Sequence, residues 1–172
     1  MIIKASDERS EMTGTLVLRD VLQGDLAVFF ANQIDEDADF MAAFTAKDRF
    51  DKEAFDKHWK KVMSDPAVHI KTILVTDHVA GYVLSYEENG RPEVSYWLGK
   101  DYWGKGLATC ALLDFLKHEN TTRPIYARTA KDNHASRRVL EKCGFKIIDE
   151  TEGFANARGI NIKELLFVLQ PE

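Results

Sequence analysis

No stretch of this 172-residue sequence approaches the ~20 consecutive apolar residues that a membrane span requires. The opening segment, Met1 to Arg9, lacks the sustained apolar run of a signal peptide. Basic runs are missing too, and the formal net charge is -5. A nucleic-acid binder must concentrate positive charge to displace phosphate counterions, so the composition argues against that class. Cysteine is scarce. Cys110 and Cys143 stand far apart without metal-ligand spacing, which predicts two small buried apolar residues and no metal site. These absences together predict a cytoplasmic protein. Repeats, low-complexity tracts and Pro/Gly-rich linkers are also missing, so residues 1–172 are expected to form one domain, with 1–13 as a polar, loose tail.

What is present suits a globular chain: 45% of residues are hydrophobic and 30% charged. At this length folding buries roughly 70% of the surface the unfolded chain exposes, enough to hold a core without disulfides or metals. The acidic balance would suit a cationic substrate such as an amine, although many soluble enzymes are mildly acidic without one.

Along the chain, Thr15 to Arg19 reads as a strand, and the stretch through Met63 reads as helical. Asp25 is placed to cap a helix carrying Leu26, Phe29 and Phe30. Asp51 is placed to cap another with Phe55, Trp59, Val62 and Met63 at helical spacing, closed by Pro66. The period then changes. Ile70 to Thr76 and Val79 to Tyr86 form a hairpin with its turn at Asp77-His78, and Asn89-Gly90 turns into a third strand, Glu93 to Leu98. A helix with an apolar stripe at Leu107, Ala108, Ala111, Leu112 and Phe115 follows, then a strand (Ile125 to Thr129) and a helix (Asn133 to Lys142). Two last strands cover 145–148 and 165–169. This order predicts a mixed α+β fold with helices over a sheet, not a doubly wound one.

The most informative segment joins the third strand to its helix through Gly99, Gly104 and Gly106, with Lys105 between the last two. A helix start offers unpaired N–H groups and the positive end of a dipole, and glycines let the backbone approach a ligand closely; together they form a cradle for phosphate. Three ligand classes use such a turn. A P-loop needs Gly-Lys followed by Ser or Thr, and here Gly106 follows Lys105. A dinucleotide fingerprint needs a third glycine where Thr109 stands and an acid about 20 positions on, where 126–129 carry none. The third class fits. Trp103, Gly106 and Ala108 resemble the acetyl-coenzyme A signature of the GNAT superfamily of N-acetyltransferases. Trp103 stands where Gln or Arg is usual, in the Trp-Gly-Lys-Gly form of the branch that resembles ribosomal-protein N-terminal acetyltransferases. A second motif, Asn133 and Ser136 on a helix that ends at Gly144-Phe145, is similar to the Asn-x-x-Ser helix of the same family. Asn133 or Asp132 can cap that helix and Gly144 can end it.

The resemblance implies the GNAT-like acyl-coenzyme A N-acyltransferase fold: a mostly antiparallel sheet of about six to seven strands, two of which splay apart to admit the pantetheine arm. It implies acetyl-coenzyme A as co-substrate, with backbone groups of Trp97 and Leu98 pairing with the arm. The pyrophosphate would lie on the turn of Trp103, Gly104, Lys105 and Gly106 and on the first helical residues Leu107, Ala108 and Thr109. The amine would then attack the thioester directly, since the sequence offers no persuasive nucleophile. Glu93 is the candidate base, through water, at the opening of its strand. The family's usual tyrosine, four residues before Gly144, is Leu140 here, so Ser136, one turn earlier, is the candidate partner of the leaving thiolate. Asn133 would bind the arm or cap its helix. Arg137, Arg138 and Lys142 would approach the adenosine phosphate or simply solvate the helix. Of Phe40, Phe44, Phe50, Phe55 and Trp59, most are expected in the core and one or two in the acceptor pocket.

The acceptor is left open by the sequence. Family resemblance points to a protein N-terminus, with polyamines, amino acids and antibiotic amines as alternatives. Dimers are common among relatives, so a homodimer is compatible with it. Two rival readings are a coenzyme-binding module without chemistry and a nicotinamide-dependent oxidoreductase.

Overall fold

The computed structural model describes residues 15–172; the expected tail at 1–13 lies outside them. Among these residues seven strands form one sheet in the order β1-β2-β3-β4-β5-β7-β6. They are β1 (Leu16–Arg19), β2 (His69–Val75), β3 (His78–Glu88), β4 (Arg91–Leu98), β5 (Ile125–Ala130), β6 (Lys146–Ala155) and β7 (Ile160–Leu169). Every pairing is antiparallel except that of β4 with β5. Among the described residues five α-helices accompany the sheet: α1 (Leu26–Gln33), α2 (Glu36–Ala42), α3 (Lys52–Ser64), α4 (Leu107–His118) and α5 (His134–Lys142). This is the mixed sheet that the element order predicts.

Neighbouring strand residues point to opposite faces, and β3 sorts accordingly. Val83 joins the main core with Leu107, Ala111, Leu112 and Phe115 of α4. Tyr82 and Leu84 pack instead with Leu26 and Phe29 of α1 and with Phe55 and Trp59 of α3. One face of the sheet therefore carries α4 and α5, and the other carries α1 and α3. Burial of these apolar faces drives the assembly, at roughly 25 cal/mol per Å² removed from water.

Several expectations shift. The β2–β3 turn sits on Thr76 and Asp77, one residue early; both have positive φ, 47° and 64°, the geometry a two-residue hairpin turn demands. Asp25 does not cap α1 with its side chain. Its carboxylate instead accepts two bonds from Arg19 (2.7 and 2.8 Å), one from the Leu22 N–H (2.9 Å) and one from the Thr72 hydroxyl (2.7 Å). Asp51 does cap α3, accepting from the Ala54 N–H. The helical stretch also contains α2, capped by Asp35 through the Ala38 N–H. The last hairpin is much longer than 145–148 and 165–169, because β6 is an edge strand whose polar residues face water. Its Glu150 takes ion pairs from Lys131 (2.8 Å) and Lys163 (2.7 Å). Apolar patterning is blind to such a strand. Cys143 is buried, but Cys110 is exposed, against expectation; both are free thiols.

Candidate functional site

The parallel contact between β4 and β5 is brief: Glu93 opposite Tyr126 is its only registered pair. Beyond it β4 runs on with β3 alone, through Tyr96 opposite Val83 to Leu98 opposite Gly81. Gly81 lets β4 lean that way. A Cβ at Gly81 would lie 1.8 Å from the Trp97 carbonyl oxygen, closer than any side chain could survive, so only glycine allows this approach.

A cavity of about 530 Å³ opens beside the freed end of β4. Its lining includes Tyr96, Trp97 and Leu98 of β4, then Trp103, Gly104 and Gly106 of the turn, and Leu107, Ala108 and Thr109 of α4. Asn133 and Ser136 contribute from α5, and Ala38, Met41 and Ala42 from α2. Ten sequence-predicted coenzyme residues thus meet in one hollow. Lys105 is the exception: its ammonium turns back to donate to the Asp101 carbonyl at 2.9 Å, and the residue is not in the lining.

Gly104 and Gly106 have φ of 71° and 74°, a region that side chains resist. No side chain caps α4, whose N-cap is Gly106 itself. The first-turn N–H groups are left for a ligand, which is what an anion cradle requires. The donor set, the open space over both glycines and the cationic Arg138 and Lys142 in the lining all fit a pyrophosphate-bearing molecule. Arg137 leans along its own helix toward Glu141, at 4.0 Å.

Trp103 does more than line the hollow. Its indole N–H donates to the Leu98 carbonyl at 2.9 Å, clamping the end of β4 to the turn. Asn133 settles the open question of the α5 cap: its side-chain oxygen accepts from the Ser136 N–H at 3.1 Å. Its amide N–H₂ donates to the Met41 carbonyl at 3.2 Å, tying α2 to α5. Asp132 is engaged elsewhere, paired with Arg158. Leu140 is 1% exposed and belongs to the core.

Tyr96 joins the site without a motif to mark it. Its hydroxyl lies 2.7 Å from Ser136 Oγ, and burial pushes the phenol up to about 12 despite that bond. Strand alternation was the available signal, since Tyr96 shares its face with Val94 and Leu98, both core residues.

Glu93 stands on the opposite face of β4. It is the third residue of that strand rather than its opening, and is 2% exposed. Oε1 accepts from Arg128 Nε at 3.0 Å, and Oε2 accepts from the Tyr86 hydroxyl at 3.4 Å. Arg128 also reaches Glu164, at 3.4 Å. Burial raises the Glu164 carboxyl, against the pull of Arg128, and raises Tyr86 to about 12. Glu93 is absent from the cavity lining. The aromatic set contributes nothing to that lining either. Phe55 and Trp59 are core, while the exposed Phe40 and Phe50 carry the guanidiniums of Arg158 (4.3 Å) and Arg49 (4.7 Å).

Among the described residues, no group of three or more His, Cys, Asp or Glu could hold a metal, and no helix is long and apolar enough to cross a membrane.

Residues 15–146 match the family model described as the acetyltransferase (GNAT) domain. The chain belongs to that family. Its glycine turn and uncapped helix start fit a pyrophosphate-bearing coenzyme. A curated relative, the uncharacterized N-acetyltransferase p20 of Bacillus licheniformis, is 30% identical over 100 residues, covering 55% of this chain and 56% of the relative's length. Solved structures share the GNAT fold at lower identity. The ribosomal L7/L12 alpha-N-protein acetyltransferase in complex with coenzyme A superposes with a TM-score of 0.77 at 16% identity, covering 99% of this chain and 98% of that one. A microcin C7 self-immunity acetyltransferase in complex with acetyl-CoA and AMP gives 0.75 at 16%, covering 92% and 97%. The spermidine N-acetyltransferase of Vibrio cholerae, with CoA and spermine, gives 0.72 at 20%, covering 89% and 95%.

Proposed function

We propose that this domain transfers the acetyl group of acetyl-coenzyme A to a primary amine, by direct attack of the amine on the thioester in a ternary complex. The single observation behind this reading is the continuity of one cavity from the uncapped start of α4, along the freed edge of β4, to Ser136. Within it, the amides of the Gly104 to Thr109 segment would hold the pyrophosphate, and backbone groups of Trp97 and Leu98 would align the pantetheine arm. Donors fixed before the reaction stabilise developing charge without reorganising. Among the described residues no cysteine lines the hollow, which supports direct attack over a covalent intermediate.

The amine must shed a proton before it attacks. Glu93 is the proposed base, acting through water from the face of β4 opposite Tyr96, at the one point where β4 and β5 meet. Its charge, with that of Glu164, exceeds that of Arg128 between them, which favours a cationic acceptor on that face. Ser136 would hydrogen-bond the departing sulfur. The acceptor we infer is a peptide N-terminus or a small amine, the two kinds that the named fold neighbours act on. A cytoplasmic setting is part of the same reading, supported by two free thiols. So is a homodimer, supported by exposed Ile147, Ile148, Phe154 and Ile160 on the β6–β7 hairpin.

Thermal unfolding with and without acetyl-coenzyme A, followed by thiol release against amines and N-terminal peptides, tests this. Ligand at 100 times its dissociation constant stabilises by about 2.7 kcal/mol. Stabilisation with thiol release supports the reading. Stabilisation without turnover on any amine favours the binding module, and no stabilisation refutes both.

A further inference from the structure

The hollow contains a hydrogen-bonded pair of hydroxyls, Tyr96 and Ser136. Tyr96 comes from β4 and Ser136 from the first turn of α5, and their hydroxyl oxygens lie 2.7 Å apart across the gap between strand and helix. Both residues line the cavity beside Trp97 and Leu98. Among the described residues, no carboxylate, imidazole or thiol lines it, so the side chains there that can donate to a departing sulfur are hydroxyls, amides, indoles and the cations Arg138 and Lys142.

A serine hydroxyl alone is a poor director of a hydrogen, because it rotates to suit its surroundings. Here its surroundings are fixed. The Ser136 N–H is held by Asn133 Oδ1, and Asn133 is held in turn by the Met41 carbonyl. The phenol is the stronger acid of the two hydroxyls, and burial keeps it protonated across the working range, so it is the natural donor between them. Once Tyr96 donates to Ser136 Oγ, the serine's own hydrogen is free to point elsewhere. Polarisation along a chain of hydrogen bonds also strengthens the last link.

We propose that Tyr96 is a positioning residue for the acetyl transfer: it donates to Ser136 Oγ and so directs the serine hydrogen at the leaving sulfur. This rests on the reading that the hollow holds acetyl-coenzyme A. The amine nitrogen forms a bond to the acyl carbon, the carbon–sulfur bond breaks, and its electron pair goes to sulfur. The proton lost by the amine equals the one the free thiol finally carries. Ser136 shares its hydrogen with the sulfur while the charge there is greatest, Tyr96 shares its own with Ser136 Oγ, and both keep them afterwards.

The test uses Tyr96→Phe, Ser136→Ala and the double variant in the full chain, with two readouts. The first is the titration of the thiol of bound coenzyme A, followed by thiolate absorbance in the ultraviolet. A hydrogen bond to a charged acceptor is worth enough to move a pKa by about one unit, so Tyr96→Phe and Ser136→Ala should each raise the bound thiol's pKa by about that much while leaving the affinity for the protonated thiol unchanged. The second is kinetics. Tyr96→Phe should lower kcat about tenfold with KM for acetyl-coenzyme A unchanged, and the double variant should fall no further than Ser136→Ala alone, since residues acting as a unit are not additive. A bound thiol that titrates alike in wild type and Tyr96→Phe overturns the proposal, as do losses that multiply. Failure of the wild-type chain to bind coenzyme A at all would instead overturn the reading beneath it. Should Tyr96→Phe unfold, Ser136→Ala carries the test: an unmoved thiol pKa there overturns the proposal equally.

Discussion

The two sides of β4 are built by different means. The hollow side is made from backbone: two glycines at positive φ, an uncapped helix start and a strand edge released from its neighbour. The opposite side relies on charge, with Glu93, Arg128 and Glu164 linked across three strands. Farther along that side, Asp25 lies beneath Arg19 and accepts from Thr72 of β2. A backbone cradle serves any ligand with phosphates and asks little of side-chain identity. A charge network is selective, and loses its balance when one member is removed. The coenzyme side should therefore respond to backbone strain and hardly to acid, and the charged side should do the reverse.

Gly81 offers the harshest way to break that division, because it stands behind both sides. In Gly81→Ala the new methyl meets the Trp97 carbonyl at 1.8 Å, so β4 must move. The expected loss is about 3 kcal/mol of stability, together with loss of acetyl-coenzyme A binding, read by chemical denaturation and ligand-dependent melting. A variant that binds normally would show that the lean of β4 toward β3 does not set the gap.

Glu93→Gln separates the sides. It keeps the shape of a residue that is 2% exposed and removes its charge. Removing a general base typically costs about a hundredfold in rate, so kcat should fall by that order while acetyl-coenzyme A stabilises the protein as before. Glu164→Gln is the companion, since burial raises that carboxyl toward the range a base needs. If Glu164→Gln loses the rate and Glu93→Gln does not, the base has been assigned to the wrong member of the pair.

Acid sharpens the contrast. Burial by itself would raise the Asp25 carboxyl, but the bonds from Arg19, the Leu22 N–H and Thr72 outweigh it and hold it at about 2. A carboxyl whose folded pKa is depressed stabilises fully above its unfolded value, near ~3.9, and loses that contribution as pH falls through the folded value. Asp25 should therefore contribute about 2–3 kcal/mol that disappears between roughly pH 5 and pH 2. Urea unfolding at stepped pH reads this, and in Asp25→Asn the slope over that window should flatten. An unchanged slope would mean that other carboxylates carry the acid response.

How much of each side could be read in the sequence follows from the same difference. The cradle occupies one continuous stretch, from Tyr96 to Thr109, and its glycines and helix start are local features that spacing reveals. Asn133 and Ser136 were legible for the same reason, being one helical turn apart. The Tyr96–Ser136 bond joins residues forty apart, and the Arg128–Glu93 pair joins residues thirty-five apart. No local pattern announces either. Glu93 reads in the sequence as the opening of its strand, whereas the fold lays β5 and its Arg128 directly against it. α2 escaped notice as a separate helix because it is seven residues long and rich in acid, and β6 beyond residue 148 because its polar residues need no core.

The gentlest change belongs to the cradle itself. In Gly106→Ala the new methyl meets nothing within 4 Å, so packing does not resist it, and only the φ of 74° does. An alanine forced into that region costs about 1 kcal/mol of stability. The ligand bears a separate cost, because the methyl occupies space over the amides that a phosphate must approach. Losing one charge-assisted hydrogen bond weakens binding about tenfold. Affinity for acetyl-coenzyme A should fall by that order, measured by calorimetry, while kcat at saturation stays near wild type. Were kcat to fall and affinity hold, the turn at Gly106 would be serving the reacting end of the hollow rather than its anion end, and the division between a backbone-built coenzyme side and a charge-built acceptor side would need redrawing.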